Sequence, residues 1–263
     1  LPDFTIKKDF RFEKLIQTLS SHKIISCKKK TKKCKQVTIL NKTTLDVILC
    51  NIFLLYLTPK DDNVFFSPLS GECLLKGHNI QVLFSEKCDD TTSDVLKNLI
   101  TEEKDDVLHE GLFNAMLCIY IGSMKPLRVI YPNTSIMELE GKKSLEFDIL
   151  FEDENEKFYM IEITRGVDKS LEEISDSYKW HFKKALFKKW AIEKIYDITN
   201  CEIIYITINE LQRDKLIDEI LKRDSKIYLI ELKENFQKPI TYADIKEILN
   251  QGLIDRLESI LNS

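Results

Sequence analysis

Glycine is scarce, with 7 residues in 263, and the chain carries no Gly-rich phosphate loop, no nucleophile elbow and no HExxH zinc motif. Those absences remove the sequence signatures of a P-loop nucleotidase, an α/β-hydrolase and a zinc protease. The 7 cysteines, Cys27, Cys34, Cys50, Cys73, Cys88, Cys118 and Cys201, form no CxxC pair. An odd number of scattered cysteines in a chain this long points to reduced thiols and an intracellular setting, cytoplasmic or, in a eukaryote, nuclear. Cys27 and Cys34 are close enough in sequence to bridge or to bind a metal, but no second close pair of ligands accompanies them. Long apolar runs are also missing. The longest, "VILCNIFLLYL" at 47–57, falls short of the ~20 residues that span a bilayer, so it predicts a buried strand or helix and no membrane partner. No secretory signal is visible. The chain opens on Leu1 and not Met, which is expected of a processed product or an excised domain.

What is present describes a packed protein. Hydrophobic residues make up 43% and aromatics 10%, enough for a core. Charged residues reach 31%, yet the formal net charge is only -4. A weakly acidic total argues against a dedicated nucleic-acid coat protein. It leaves room for an enzyme that meets a few phosphates through a local basic patch.

Two regions are expected, 1–100 and 101–263. In the first, "KIIS" and "QVTIL" flank "CKKKTKKCK" as a hairpin with a basic tip, and "NVFFSP" and "NIQVLFSE" add two strands. This region is read as α+β or β-rich, and it is where a homodimer or a protein partner would attach. The lysines of its tip, Lys28, Lys29, Lys30, Lys32, Lys33 and Lys35, either contact phosphate backbones or form a solvated loop. The segment 86–106 predicts a connecting helix, with the domain boundary near 90–105.

From Asp105 the pattern is regular. A helix to Gly122 is followed by strands around "LRVIY" and "SIMELE" and a hairpin. A long helix, a strand, a helix, a strand and a last helix capped by Thr241 complete the chain. This order predicts an α/β layer fold with a mixed central sheet. In the long helix, Leu171, Ile174, Tyr178, Phe182, Ala185, Leu186 and Trp190 recur at helical spacing as the inward stripe. Its run "KWHFKKALFKKW" interleaves lysines with Trp180, Phe182, Phe187 and Trp190, aromatics read as core in preference to base-stacking platforms.

The hairpin "SLEFDILFEDENEKFYMIEITRG" places an acid inside each strand, Asp148 and Glu162. Alternation sends Leu145, Phe147, Ile149 and Phe151 to one face and Asp148 with Leu150 to the other. Glu162 shares a face with Met160 and Thr164. Two carboxylates brought together repel, and burial raises the cost of each. A divalent cation relieves both, and Mg²⁺ prefers carboxylate, water and phosphate oxygens. That chemistry suits metal-dependent phosphodiester hydrolysis. The competing reading is a pair of acids on the wet face of an ordinary hairpin.

The order of elements from 107 to 208, with Glu110 in "LHEGLF", Asp148 in "EFDIL" and "EIT" at 162–164, resembles the PD-(D/E)XK nuclease superfamily. The resemblance implies a restriction-endonuclease-like core in the C-terminal region, preceded by the smaller N-terminal one. It implies a nuclease acting on DNA or RNA with Mg²⁺ or Mn²⁺. Asp148 and Glu162 would be metal ligands, Glu110 would assist through water, and the Ile163 carbonyl would add a further ligand. The sequence departs from the pattern at Thr164, where the superfamily usually carries lysine. Some members move that lysine to the following helix, where this chain has Lys179, Lys183, Lys184, Lys188 and Lys189; Lys183 is the first choice to contact the scissile phosphate. Arg165 is another nearby cation, while His109 beside Glu110 points about 100° away on a helix. The same departure implies an alternative, a nuclease-fold module that binds protein or nucleic acid without cutting it.

Overall fold

A computed structural model of the chain describes residues 4–7, 11–57, 64–67, 72–75, 81–83, 89–100, 107–138, 144–164, 171–198, 200–208, 215–232 and 240–263. In chain order the elements are β1 (Phe4–Lys7), α1 (Arg11–Ser21), β2 (Ile25–Lys29), β3 (Lys35–Ile39), α2 (Lys42–Leu57), β4 (Val64–Ser67), β5 (Glu72–Leu75), β6 (Gln81–Leu83), α3 (Asp90–Ile100), α4 (Val107–Met124) and β7 (Leu127–Glu138). They continue as β8 (Ser144–Asp153), β9 (Phe158–Thr164), α5 (Leu171–Tyr196), β10 (Cys201–Thr207), α6 (Lys215–Arg223), β11 (Ile227–Glu231), β12 (Ile240–Thr241), α7 (Tyr242–Glu247), a π-helical stretch (Ile248–Ile254) and α8 (Asp255–Leu261). The protein is α/β, with a mixed sheet and helices packed on it. None of the described helices is long and apolar enough to cross a membrane.

The chain divides into two compact units. One comprises Leu1–Asp9, Lys30–Lys35 and Lys125–Lys233; the other comprises Phe10–Lys29, Gln36–Met124 and Glu234–Ser263. Part of the segment expected to hold a boundary, 101–106, lies outside the described residues.

In the first unit the strands run β11-β10-β9-β8-β7, and β1 also pairs with β7. β7, β8 and β9 are antiparallel neighbours, whereas β9, β10 and β11 are parallel. The two segments read as separate strands around Pro132 form one long strand, with Asn133 in the left-handed region at φ 46. Every residue of β10, "CEIIYIT", is buried, as a central strand between parallel neighbours requires. One side of the sheet is covered by α5 and α6. Phe182, Ala185, Leu186 and Ile192 of α5 and Ile217 of α6 meet Leu150, Met160, Ile203 and Tyr205. Full burial of a side chain such as Phe182 stabilises by roughly 1.5–3 kcal/mol.

Leu145 and Phe147 join the same buried cluster as Leu150 and Met160, although strict alternation assigns them to the opposite face. The irregularity falls at Asp148. The β8–β9 ladder pairs run from Glu152↔Phe158 to Ile149↔Ile161. Beyond them the Ile163 N–H donates to Asp148 Oδ2 at 2.7 Å. A side-chain carboxylate accepts from the β9 backbone there, while β8 keeps its register with β7 on both sides of Asp148.

The second unit is mostly helical. The apolar run at 47–57 belongs to α2, buried along nearly its whole length. Phe113 of α4 packs against Phe53 and stacks on Tyr56, and the Tyr120 hydroxyl donates to Asp46 Oδ1 at 2.8 Å. A small sheet runs β12-β6-β5-β4. Thr241 caps α7 in a reciprocal capping box with Asp244, as its position before the last helix predicts. β2 and β3 are hydrogen-bonded neighbours, and the lysines between and beside them are exposed, so the hairpin with a basic tip forms. Cys27 and Cys34 both carry reduced thiols, which removes the disulfide between them.

Candidate functional site

The β8–β9 ladder ends at Ile149↔Ile161, and next to its end Asp148 accepts from the Ile163 N–H and lies close enough to Glu162 for its charge to act on it. On the other side of β9, Glu162 pairs in register with Tyr205 of β10. Asp148 is half-buried and Glu162 is 8% exposed. The two therefore share a partly dry site beneath α5, and the wet-face reading does not hold for Glu162.

The electrostatics follow from this placement. Burial pushes the Asp148 carboxyl above its usual range, against the opposing pull of Lys188, the Ile163 N–H and Lys184. Burial also raises Glu162, and the charge of Asp148 adds to it, so that its pKa is pushed up to about 8 despite Lys188 and Lys184. Both shifts are upward. The available positive charge is insufficient for two carboxylates held this close in a low-dielectric setting.

That positive charge comes chiefly from α5. Lys188 is only 6% exposed, and its ammonium donates to Glu162 Oε2. The same ammonium lies 5.8 Å from the centre of the Phe147 ring. Glu162 Oε1, by contrast, is buried without a hydrogen-bond partner. An orphaned carboxylate oxygen in such a place normally costs 1–3 kcal/mol or more, so it marks a point where a cation or water belongs.

Lys183, the first-choice lysine, is exposed on α5, and the ammonium at Glu162 belongs to Lys188. The reason is helical phase. Lys188 lies three residues after Ala185 and four before Ile192, both buried, and so projects from the inward stripe. Lys183 follows Phe182 by one residue and turns outward. That spacing is the signal by which Lys188 was findable. Lys189, also buried, is engaged elsewhere, donating to Glu193 at 2.9 Å. The side chains of Lys179, Arg165 and His109 lie outside the described residues.

Thr164, at the position where a lysine is usual in the resembling superfamily, is 9% exposed and shares a 2.7 Å hydrogen bond with the Tyr205 hydroxyl. Its hydroxyl braces β9 against β10 and supplies no charge. Glu110 belongs to the other compact unit, where it is exposed in the first turn of α4.

Among the described residues no group of three or more His, Cys, Asp or Glu side chains is arranged to hold a metal. The acid pair is thus a two-carboxylate set. Its hard oxygen donors and its unpartnered Oε1 nonetheless fit a hard divalent cation that would displace the proton favoured by the raised Glu162 pKa and take its other ligands from water or substrate.

No protein-family model matches the chain, and no curated protein matches it.

Proposed function

We propose that the chain is a divalent-metal-dependent nuclease with a restriction-endonuclease-like core in the PD-(D/E)XK manner, acting on DNA or RNA. The observation that carries this reading is the unpartnered Glu162 Oε1 beside Asp148 and the Lys188 ammonium.

Asp148 and Glu162 would hold Mg²⁺ or Mn²⁺. When bound, such an ion supplies an activated water and stabilises charge developing on phosphorus. The protein's own groups set the stage. The Ile163 N–H fixes the Asp148 carboxylate through Oδ2. Lys188 holds Glu162 by one oxygen and leaves the other open. Its charge favours the ionised carboxylate that a hard cation requires. Lys184 is exposed and its charge acts on both acids, so it is the cation we assign to meet an arriving phosphate. Lys188 and Lys184 together supply the positive charge that Thr164 does not.

One observation favours a second reading. Lys188 already neutralises Glu162 in part, and a binding module that had dispensed with metal would carry the same ion pair. Cleavage of labelled DNA and RNA, with Mg²⁺ or Mn²⁺ and with chelator, separates the two. The nuclease reading expects metal-dependent products that vanish in Asp148→Asn and Glu162→Gln. Binding without cleavage under every metal condition supports the module.

A further inference from the structure

The long helix has an outer face that the acid pair does not use. Three of the large hydrophobic side chains left exposed on the protein lie there: Trp180 at 60%, Phe187 at 59% and Trp190 at 58%. At about 100° per residue they fall within ~80° of arc together with Lys183 and Lys194, and the row from 180 to 194 is ~21 Å long. Lys184 borders it. No exposed residue of α5 in this stretch is acidic; Glu193, its acid, is half-buried and accepts from Lys189. A chain of net charge -4 has therefore set a wholly basic, aromatic surface on one helix.

Three flat rings interleaved with lysines match a partner that offers π-faces and negative charge in alternation. Single-stranded nucleic acid has that chemistry: bases stack on aromatics while phosphates meet the ammonium groups. A membrane surface fits less well. Interfacial helices separate their apolar face, which enters the lipid, from a polar one. Here the purely apolar face of α5 is spent on the protein's own core, through Phe182, Ala185 and Leu186. Lys184 connects the row to the site. Its ammonium sits 5.5 Å from the Trp180 ring centre, and its charge is felt by both Asp148 and Glu162.

We propose that the outer face of α5 binds single-stranded nucleic acid, stacking bases on Trp180, Phe187 and Trp190 with phosphates against Lys183, Lys184 and Lys194. The inference deepens the nuclease reading, since it names the strand state of the substrate and rests on that reading for its purpose. Binding is measurable without cleavage.

The chain contains 2 tryptophans, and both lie on this face, so tryptophan emission, excited at the red edge where the 9 tyrosines do not absorb, reports on it alone. The full chain is titrated with oligothymidylate and with oligouridylate in the presence of chelator. Stacking is expected to quench the emission. Phe187→Ala, which keeps both reporters and alters only an exposed ring, is expected to weaken binding about tenfold. Lys183→Ala with Lys184→Ala is expected to flatten the salt dependence by roughly 0.7 in slope per lost phosphate contact. Absence of quenching, affinity indifferent to Phe187→Ala, or equal affinity for duplex each overturns the proposal. So does a blue shift with phosphatidylserine vesicles that oligonucleotides fail to produce. Cleavage of nucleic acid without quenching overturns this inference and leaves the nuclease reading standing. Quenching without cleavage under any metal supports this inference and removes the nuclease.

Discussion

Lys188 of α5 donates its ammonium to Glu162 of β9, a residue 26 positions earlier in the chain. The pair joins the helix covering the sheet to the strand that bears the acid. Removing one member leaves the other buried and unmatched. Lys188→Met keeps the volume and deletes the charge. We expect it to destabilise the chain by about 3–5 kcal/mol in urea denaturation, and to abolish metal-dependent cleavage. Adding Glu162→Gln to it is expected to restore a large part of the stability and none of the activity. A double variant no more stable than Lys188→Met would show that the pair is uncoupled.

The acid pair makes stability depend on pH in a stated direction. Glu162 is raised from its ordinary value of 4.5 to about 8, by burial first and by Asp148 second. Between those values the folded chain binds more protons than the unfolded one. Its stabilising contribution is fully present below pH 4.5 and is lost as pH rises through about 8. Asp148, raised as well, acts in the same sense. In metal-free buffer, denaturation midpoints measured across this range are expected to fall less steeply in Glu162→Gln than in the wild type. Parallel curves would contradict the placement of Glu162.

Thr164 and Lys188 are expected to separate cleanly. Thr164→Val removes the hydrogen bond to Tyr205 and should cost about 1 kcal/mol, with cleavage retained within a few-fold. If Thr164→Val instead eliminated cleavage while preserving the fold, the hydroxyl would have a direct part in the chemistry.

The capping box at Thr241 offers a test away from the site. Thr241→Ala is expected to cost about 1 kcal/mol of stability. The Asp244 carboxyl is held below its usual range by hydrogen bonds from the Thr241 side chain and backbone. Its contribution is present above its ordinary value of 3.8 and is lost as pH falls through the lowered one. The difference between wild type and variant, followed by thermal melts from neutral pH downwards, should therefore narrow in acid.

Particular residues show what the sequence could reveal. The charged turn between two apolar runs was enough to pair β8 with β9, whereas the approach of Asp148 to Glu162 depended on a register the sequence left open. Thr241 before an apolar-periodic run was enough to start the last helix. Long-range packing was less legible. Trp190 fits the helical stripe of Phe182 and Leu186 by spacing but is exposed, because the sheet covers only the arc around Phe182, Ala185, Leu186 and Ile192. The same arc selects Lys188 over Lys183. Which side of α5 meets the sheet is a tertiary fact, and a run of two lysine pairs and aromatics does not state it. "LRVIY" and "SIMELE" read as two strands, yet β7 continues through Pro132 between them, with Asn133 turning locally into the left-handed region. In 1–100 the strands β1 and β5 passed unread because each is only four residues long, and α1 passed unread although Phe12, Leu15, Ile16 and Leu19 recur at helical spacing.

Direct metal binding tests the central claim. Calorimetric titration with Mn²⁺ is carried out on the wild type, Asp148→Asn and Glu162→Gln, each first shown to be folded. The account expects a single ion per chain in the wild type and at least a hundredfold weaker binding in both variants. Equal binding in all three proteins, or none in the wild type, would contradict it.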